Sequence, residues 1–273
     1  MPTAGGSAVG RASGAVSRPR ETLNAGNTAK AAARGGNPTR PASDLIDRLR
    51  RFDLFSHLPA RAMAGIAAAT RVLEGPPGTW LWRRGDPCLQ ALFIEDGLAI
   101  TSRRVREDVD RTYGLYGPGD SLGIHAIWAG MRYPTDAQVL NHPLTALCLD
   151  TSALVRCAER EPDLAEPLRV EIGHFTDAFI RKIDVVSAGA VQHRLATLLA
   201  ALIERHGVAT GDNAACLPYK LTLAQIGGIA DARIETVARV FSQWKKQGWL
   251  EVDAHGFHLL ELDRLYALTG AHA

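Results

Sequence analysis

Residues 222–243 read TLAQIGGIADARIETVARVFSQ. Thr222 is a side chain that caps helix starts, and Leu223 to Ala230 then make a short helix. Ile226 is its apolar position, and Gly227 is small enough for a second helix to cross close by. The turn falls at Asp231. Helix-turn-helix units favour glycine there because the residue takes left-handed φ/ψ, and aspartate is one of the few side chains that tolerate it. Ala232, Val237 and Val240 supply the inward face of the second helix. Arg233, Glu235, Thr236, Arg239 and Gln243 make its outward face.

That outward set suits double-stranded DNA. Glu235 and Arg239 are four apart and share a helical face. Arginine binds O6 and N7 of guanine bidentately, and glutamate accepts from N4 of cytosine, so one helix in the major groove reads G·C pairs with both. Arg233 and Thr236 sit near the helix start, where phosphate contacts are favoured. The competing reading is an ordinary helical hairpin with a Glu235–Arg239 ion pair. Downstream, Gly248 stops the helix, and residues 249–252 and 257–260 flank the turn Asp253-Ala254-His255-Gly256. This is a β-hairpin in the place of a wing. His255 and His258 lack cysteine or carboxylate partners in a metal spacing, and the structural reading is preferred. Residues 190–273 carry eight basic and eight acidic side chains, but five of the basic ones cluster between 220 and 246. Such a site binds modestly and with salt sensitivity, and two half-sites help.

Working towards the N-terminus, Leu164, Leu168, Ile172, Phe175, Phe179, Ile183 and Val186 step by four or three residues. This stripe approximates a coiled-coil seam. It predicts a dimer interface over Leu168, Ile172, Phe175, Phe179, Ile183 and Val186, against the plainer alternative of a helix packed on its own barrel. From Val72 to Asp150, glycines recur at turn positions between short runs of strand formers: 80–82, 91–94, 98–101 and 144–149. That texture predicts a β-barrel or jelly-roll-like module. Helices are expected at Asp44–Arg51 and Ala60–Thr70. Residues 1–42 are rich in small and polar types, and residues 1–50 hold eight basic against three acidic side chains. The segment reads as a disordered basic extension.

The chain has 273 residues, a formal charge of +2 and 46% hydrophobic residues, which fits two packed domains and excludes a histone-like coat. No apolar run approaches the ~18 residues that cross a bilayer. Cys88, Cys148, Cys157 and Cys216 form no CxxC pair, which fits a reduced, cytoplasmic protein. No nucleophile–base motif, P-loop, GxGxxG after a strand or HExxH is present, so an enzyme is not expected.

The order of barrel, long helix and winged helix over residues 44–268 resembles the Crp/Fnr family of transcription regulators. The motifs that carry this are Gly117-Pro118-Gly119-Asp120 with Gly123, His193-Arg194-Leu195-Ala196, and Ile234-Glu235-Thr236-Val237-Ala238-Arg239, the last resembling the family's E-T-x-x-R core. The resemblance implies an α+β chain. A cyclic-nucleotide-binding-like β-roll sensor covers 43–160, a dimerisation helix 161–187, and a C-terminal winged helix-turn-helix domain 188–268. It also implies a homodimer that binds an inverted repeat and contacts RNA polymerase. Gly123-Ile124-His125-Ala126-Ile127 and Ala137-Gln138 are similar to the Fnr branch, whose half-sites resemble TTGAT, giving TTGAT-N4-ATCAA. Ala238 stands where Fnr has serine and leaves the outer base preference open, although alanine can touch a thymine methyl.

Three family signals meet these residues differently. The cyclic AMP pocket has the pattern G-E-L…R-(S/T)-A. Here Ile124 replaces the glutamate and Thr135-Asp136-Ala137 the Arg-Ser/Thr-Ala, with Arg132 three residues early. Asp136 would repel a phosphate, which argues against cyclic AMP. The candidate effector pocket comprises Gly123, Ile124, Arg132, Thr135 and Asp136. An iron–sulfur cluster is disfavoured because no cysteine precedes Cys88, and Cys148, which matches the barrel cysteine, reads as a buried small hydrophobe. Haem stays open, with His125, His174 or Cys88 as axial candidates, and Cys88 in an exposed turn is also a candidate redox thiol. The alternative function is a small-ligand or haem sensor whose helix-turn-helix serves as a partner interface.

Overall fold

The computed structural model describes residues 42–106, 109–128, 132–140 and 143–270, and the basic extension lies outside them apart from its last residue. Three helices come first: α1 (Ala42–Leu49), α2 (Asp53–Ser56) and α3 (Ala60–Ala68). The first was expected to run from Asp44 to Arg51, but the chain turns at buried Leu49, whose carbonyl accepts from Phe52. That turn delivers Phe52 and Phe55 to the ring of Phe93, at centroid distances of 5.3 and 4.9 Å. Arg48 fastens α1 to the sheet by gripping both carboxylate oxygens of Glu95, the fork geometry in which a guanidinium bonds a carboxylate best.

The strands follow: β1 (Thr70–Gly75), β2 (Trp80–Trp82), β3 (Gln90–Asp96), β4 (Ala99–Arg106), β5 (Val109–Tyr116) and β6 (Ser121–Leu122). The short helix α4 (Ile124–Trp128) precedes β7 (Asp136–Val139) and β8 (Leu144–Asp150). They form two antiparallel four-stranded sheets, ordered β1-β8-β3-β6 and β2-β7-β4-β5. The apolar runs at 91–94 and 144–149 lack alternation because β3 and β8 are covered on both faces. Leu92, Ile94, Ala146 and Cys148 pack between the sheets. Ala91, Phe93, Leu147 and Leu149 pack outward against the helices. Gly97, at φ +84°, turns β3 into β4 where a Cβ would lie 2.2 Å from the carbonyl oxygen of Pro143.

Helix α5 (Thr151–Arg160), capped by Asp150 accepting from the amide of Ser152, was not expected; helical spacing was read only after Pro162. A 3-10 turn at Pro162–Leu164 leads to the 23-residue α6 (Ala165–Ser187). The stripe on α6 divides. Leu164, Leu168 and Ile172 pack into the helix-side core of the roll, and Phe175 stacks on His125 at 3.8 Å. Beyond them Phe179, Ile180 and Ile183 are 43%, 51% and 50% exposed.

The remainder is α7 (Val191–His206), β9 (Val208–Gly211), β10 (Ala214–Leu217), α8 (Leu223–Ala230), α9 (Ile234–Lys246), β11 (Leu250–Val252), β12 (Phe257–Leu259) and α10 (Leu262–Thr269). The expected hairpin is β11–β12, with Leu250 opposite Leu259. It belongs to a larger sheet, β11-β12-β10-β9, whose outer pair slips register between Ala214 and Ala215. The core of this part is continuous with the roll: Leu98, Ile100 and Leu140 share one cluster with Leu199, Ile226, Val237 and Trp244. No helix among the described residues is long and apolar enough to cross a membrane.

Replacing Phe93 with Ala removes a fully buried ring from the contact of sheet and N-terminal helices. Urea unfolding is expected to show a loss of about 3–5 kcal/mol.

Candidate nucleic-acid interface and the cavity beside α6

Thr222 caps α8 as part of a reciprocal box: its Oγ1 accepts from the amide of Gln225 at 3.2 Å, and Gln225 Oε1 accepts from the amide of Thr222 at 2.8 Å. The T-x-x-Q spacing is that of a capping box, although only the threonine half was read from the sequence. At Gly227 a Cβ would lie 2.7 Å from the carbonyl oxygen of Ala232, so the two helices meet with no room for a side chain. Asp231 takes the left-handed conformation, φ 51° and ψ 50°. Among the described residues it is the one non-glycine with positive φ.

Val237 and Val240 are buried, as are Phe241 and Trp244, which fixes the rotation of α9. Arg233, Glu235, Arg239 and Gln243 are exposed; Thr236 and Ala238 are half-buried at the edge of the same face. Glu235 and Arg239 do not form the ion pair of the plainer reading, so both ends are open to another molecule. Ser242 and Lys246, also exposed, continue the row three and seven residues beyond Arg239. Their helical spacing with Arg239 is the sequence signal that points to them. No side chain caps the start of α9 at Arg233, and the first-turn amides of such a helix suit a phosphate.

In the hairpin, Asp253 Oδ1 accepts from the amides of His255 and Gly256 at 2.7 and 3.0 Å, which closes the turn. His258 Nε2 stands 3.1 Å from Asp253 Oδ2. These bonds, the His255 amide first, hold the Asp253 carboxyl below its ordinary range.

A cavity of about 430 Å³ lies between the roll and α6. Three ring pairs line it: Trp82 on Tyr133 at 4.1 Å, His125 on Phe175 at 3.8 Å, and Tyr113 beside Phe179 at 6.3 Å. Of the expected effector residues, Gly123, Ile124 and Thr135 line this space, but Arg132 and Asp136 do not. Arg132 donates to the carbonyl of Gly85 at 2.8 Å. Asp136 lies 3.1 Å from Arg83 Nε and accepts from the amide of Arg84 at 2.8 Å. Pairing of β7 with β2 hands Asp136 to the Arg83–Arg84 turn, so its charge is already matched.

His125 and His174 both line the cavity, and Cys88 does not. Burial lowers the pKa of His125, whose Nε2 has no hydrogen-bond partner. The buried Nε1 of Trp82 has none either. Cys88 is half-buried rather than exposed; its thiol lies 3.6 Å from the carbonyl oxygen of Gly123, and burial raises its pKa, which works against a reactive thiolate. Cys148 is fully buried, donates to Gln90 Oε1 at 2.9 Å, and is pushed up to about 11 by burial. In the cavity wall Ser121 donates to Glu171, and Asp120 pairs with Arg205.

Comparison with known proteins agrees with this arrangement. The model of the Crp-like helix-turn-helix domain matches residues 193–268. The transcriptional activator protein anr of Pseudomonas aeruginosa is 25% identical over 197 residues, covering 71% of this chain and 78% of its own length. The CRP-like cAMP-activated global transcriptional regulator of Mycobacterium tuberculosis is 22% identical over 218 residues, covering 80% and 96%. The structure of FixK2 from Bradyrhizobium japonicum superposes with a TM-score of 0.67 at 18% identity, over 75% of this chain and 99% of that one. The chain thus carries a Crp-like helix-turn-helix domain at its C-terminal end, shares the fold of FixK2, and is similar in sequence to transcriptional regulators of the Crp/Fnr type.

Proposed function

We propose that the chain binds an inverted DNA repeat resembling TTGAT-N4-ATCAA as a homodimer in the cytoplasm, and regulates transcription there through contact with RNA polymerase. The observation that carries the reading is the open outer face of α9. Arg239 and Glu235 stand a turn apart, unpaired with each other, on a helix whose other face is locked into the core. In a major groove they read base edges; Thr222, Arg233, Thr236 and Lys246 meet phosphates, Gln243 extends the reading row, and Ala238 faces a thymine methyl. The apolar patch of Phe179, Ile180 and Ile183 on α6 is the seam for a second copy, flanked by half-buried Val186. Leu168, Ile172 and Phe175, placed in the seam by spacing, serve the chain's own roll instead. The division of labour is a sensor at 43–160, a dimer helix at 161–187 and a DNA reader at 188–268. The cavity is the effector site of the sensor, with Gly123, Ile124 and Thr135 in its wall.

Fluorescence anisotropy against a scrambled duplex at fixed salt tests this. Arg239→Ala is expected to weaken the cognate complex by about 1–3 kcal/mol and leave the scrambled one alone. A sensor that uses its helix-turn-helix only to hold a protein partner would show no sequence preference before or after the change. Lys246→Ala is expected to weaken both duplexes and to reduce the salt slope by about 1. Ile183→Asp places a charge in the seam, and sedimentation should then find monomers.

The cavity makes a further expectation. His125 stays neutral in the fold because burial depresses its pKa below 6.5. As pH falls through that value the unfolded chain takes up a proton that the fold resists, so stability is lost on acidification. His125→Phe keeps a ring against Phe175 and should flatten the decline in Tm between about pH 7 and pH 5. An equally steep decline in the variant would assign the acid sensitivity elsewhere.

A further inference from the structure

Among the ion pairs of the described residues, Asp120–Arg205 is the one that joins the β-roll to the segment that carries the helix-turn-helix. Asp120 ends the turn from Gly117 that leads from β5 to β6, and its second oxygen accepts from the amide of Gly117 at 2.8 Å. One carboxylate therefore both closes the turn and holds Arg205. The side chains are 14% and 32% exposed, so the pair is partly shielded from water and salt. Both also line the cavity beside α6.

The helix end that makes this contact has little slack. His206, next to Arg205 at the end of α7, lies so close to Gly117 that a Cβ there would come within 2.8 Å of its ring. The ring meets Tyr219 edge-on at 6.1 Å. Helix α7 in turn supports the DNA-reading pair, since Leu195, Leu199 and Ile203 share a core with Ile226, Val237 and Trp244. The first helix of that pair rests on the roll as well: Thr112 Oγ1 of β5 would be 3.3 Å from a Cβ at Gly228. Its last carbonyls are held from α6 and α7, Ile229 by the Lys182 ammonium, Ala230 and Asp231 by Arg194 at 3.3 and 2.9 Å.

We propose that the Asp120–Arg205 pair is a latch that couples the wall of the cavity to the seating of the DNA-reading domain on the roll. The latch deepens the reading of the cavity as an effector site and of α9 as the DNA reader, and it rests on both. A compound carrying a carboxylate or phosphate group competes with Asp120 for Arg205 and frees the end of α7. A compound without an acid leaves the latch closed. Arg103 and Arg181 line the same cavity and draw such an acid in. Of the three lining arginines, Arg205 is the one held by a carboxylate of the roll.

Hydrogen exchange on the full chain without DNA tests the latch. Asp120→Asn keeps an acceptor for the Gly117 amide and removes the charge; Arg205→Met keeps the length of the side chain. Each is expected to raise exchange about tenfold in residues 117–123 and, at a distance, in 223–230. The double variant should exchange no faster than either single one, and Arg205→Lys should recover most of the protection. Additive effects would overturn the latch, as would a loosened 117–123 turn with α8 unchanged. Anisotropy on the TTGAT duplex runs in parallel. If the wild-type chain shows no sequence preference there, the DNA-reading assignment fails, while the exchange cycle still decides whether the pair couples the two parts.

Discussion

The pairing of β3 with β8 is the constraint on which the rest of the structure depends. Both strands are apolar on both faces, so neither is stable until a layer covers each side. One side takes the N-terminal helices, α5 and the start of α6, through Phe93, Leu147 and Leu149. The other takes the second sheet, through Leu92, Ile94 and Cys148. The cavity exists because this second sheet and α6 close over Leu122 and Ile124 without filling the space between them. The position of the cavity is thus a by-product of how the central strands are buried.

Helix α6 divides its surface among three neighbours. Its first turns complete the helix-side core, its middle turns wall the cavity with Phe175 and Arg181, and Val185 enters the core of the DNA-reading part. A strip with Phe179, Ile180 and Ile183 stays exposed. A regular three-four spacing cannot separate these uses, because each neighbour asks for the same apolar side chains at the same interval. This is why the sequence placed Leu168, Ile172 and Phe175 together with Phe179 and Ile183, although the first three are turned towards the chain's own roll.

The helix-turn-helix was legible because its signals are local: a capping threonine, a glycine at the crossing, and an aspartate where the backbone turns left-handed, all within ten residues. The central strands were legible by hydrophobicity alone. Strand β9 carried no such signal, since its four residues are all exposed and leave no alternation to read. Arg132 and Asp136 fall in the right stretch for an effector pocket, but the irregular pairing of β2 with β7 gives Asp136 to Arg83. The aromatic wall joins Trp82 to Tyr133, and the interdomain pair joins Asp120 to Arg205, across 85 residues in the second case. Nothing in the neighbourhood of any one of these residues marks its partner, because the partner is chosen by the closure of the sheets.

Strand β9 also has a consequence for the behaviour of the protein at high concentration. It is one of the two outer edges of the wing sheet, uncharged and exposed, with one row of amides and carbonyls facing solvent. Such edges are templates for foreign strands and seed aggregation. This one is four residues long, ends in glycine and slips register against β10, and a short, irregular edge offers an incoming strand few consecutive bonds. Colloidal solubility is thereby protected by geometry at an edge that carries no charge.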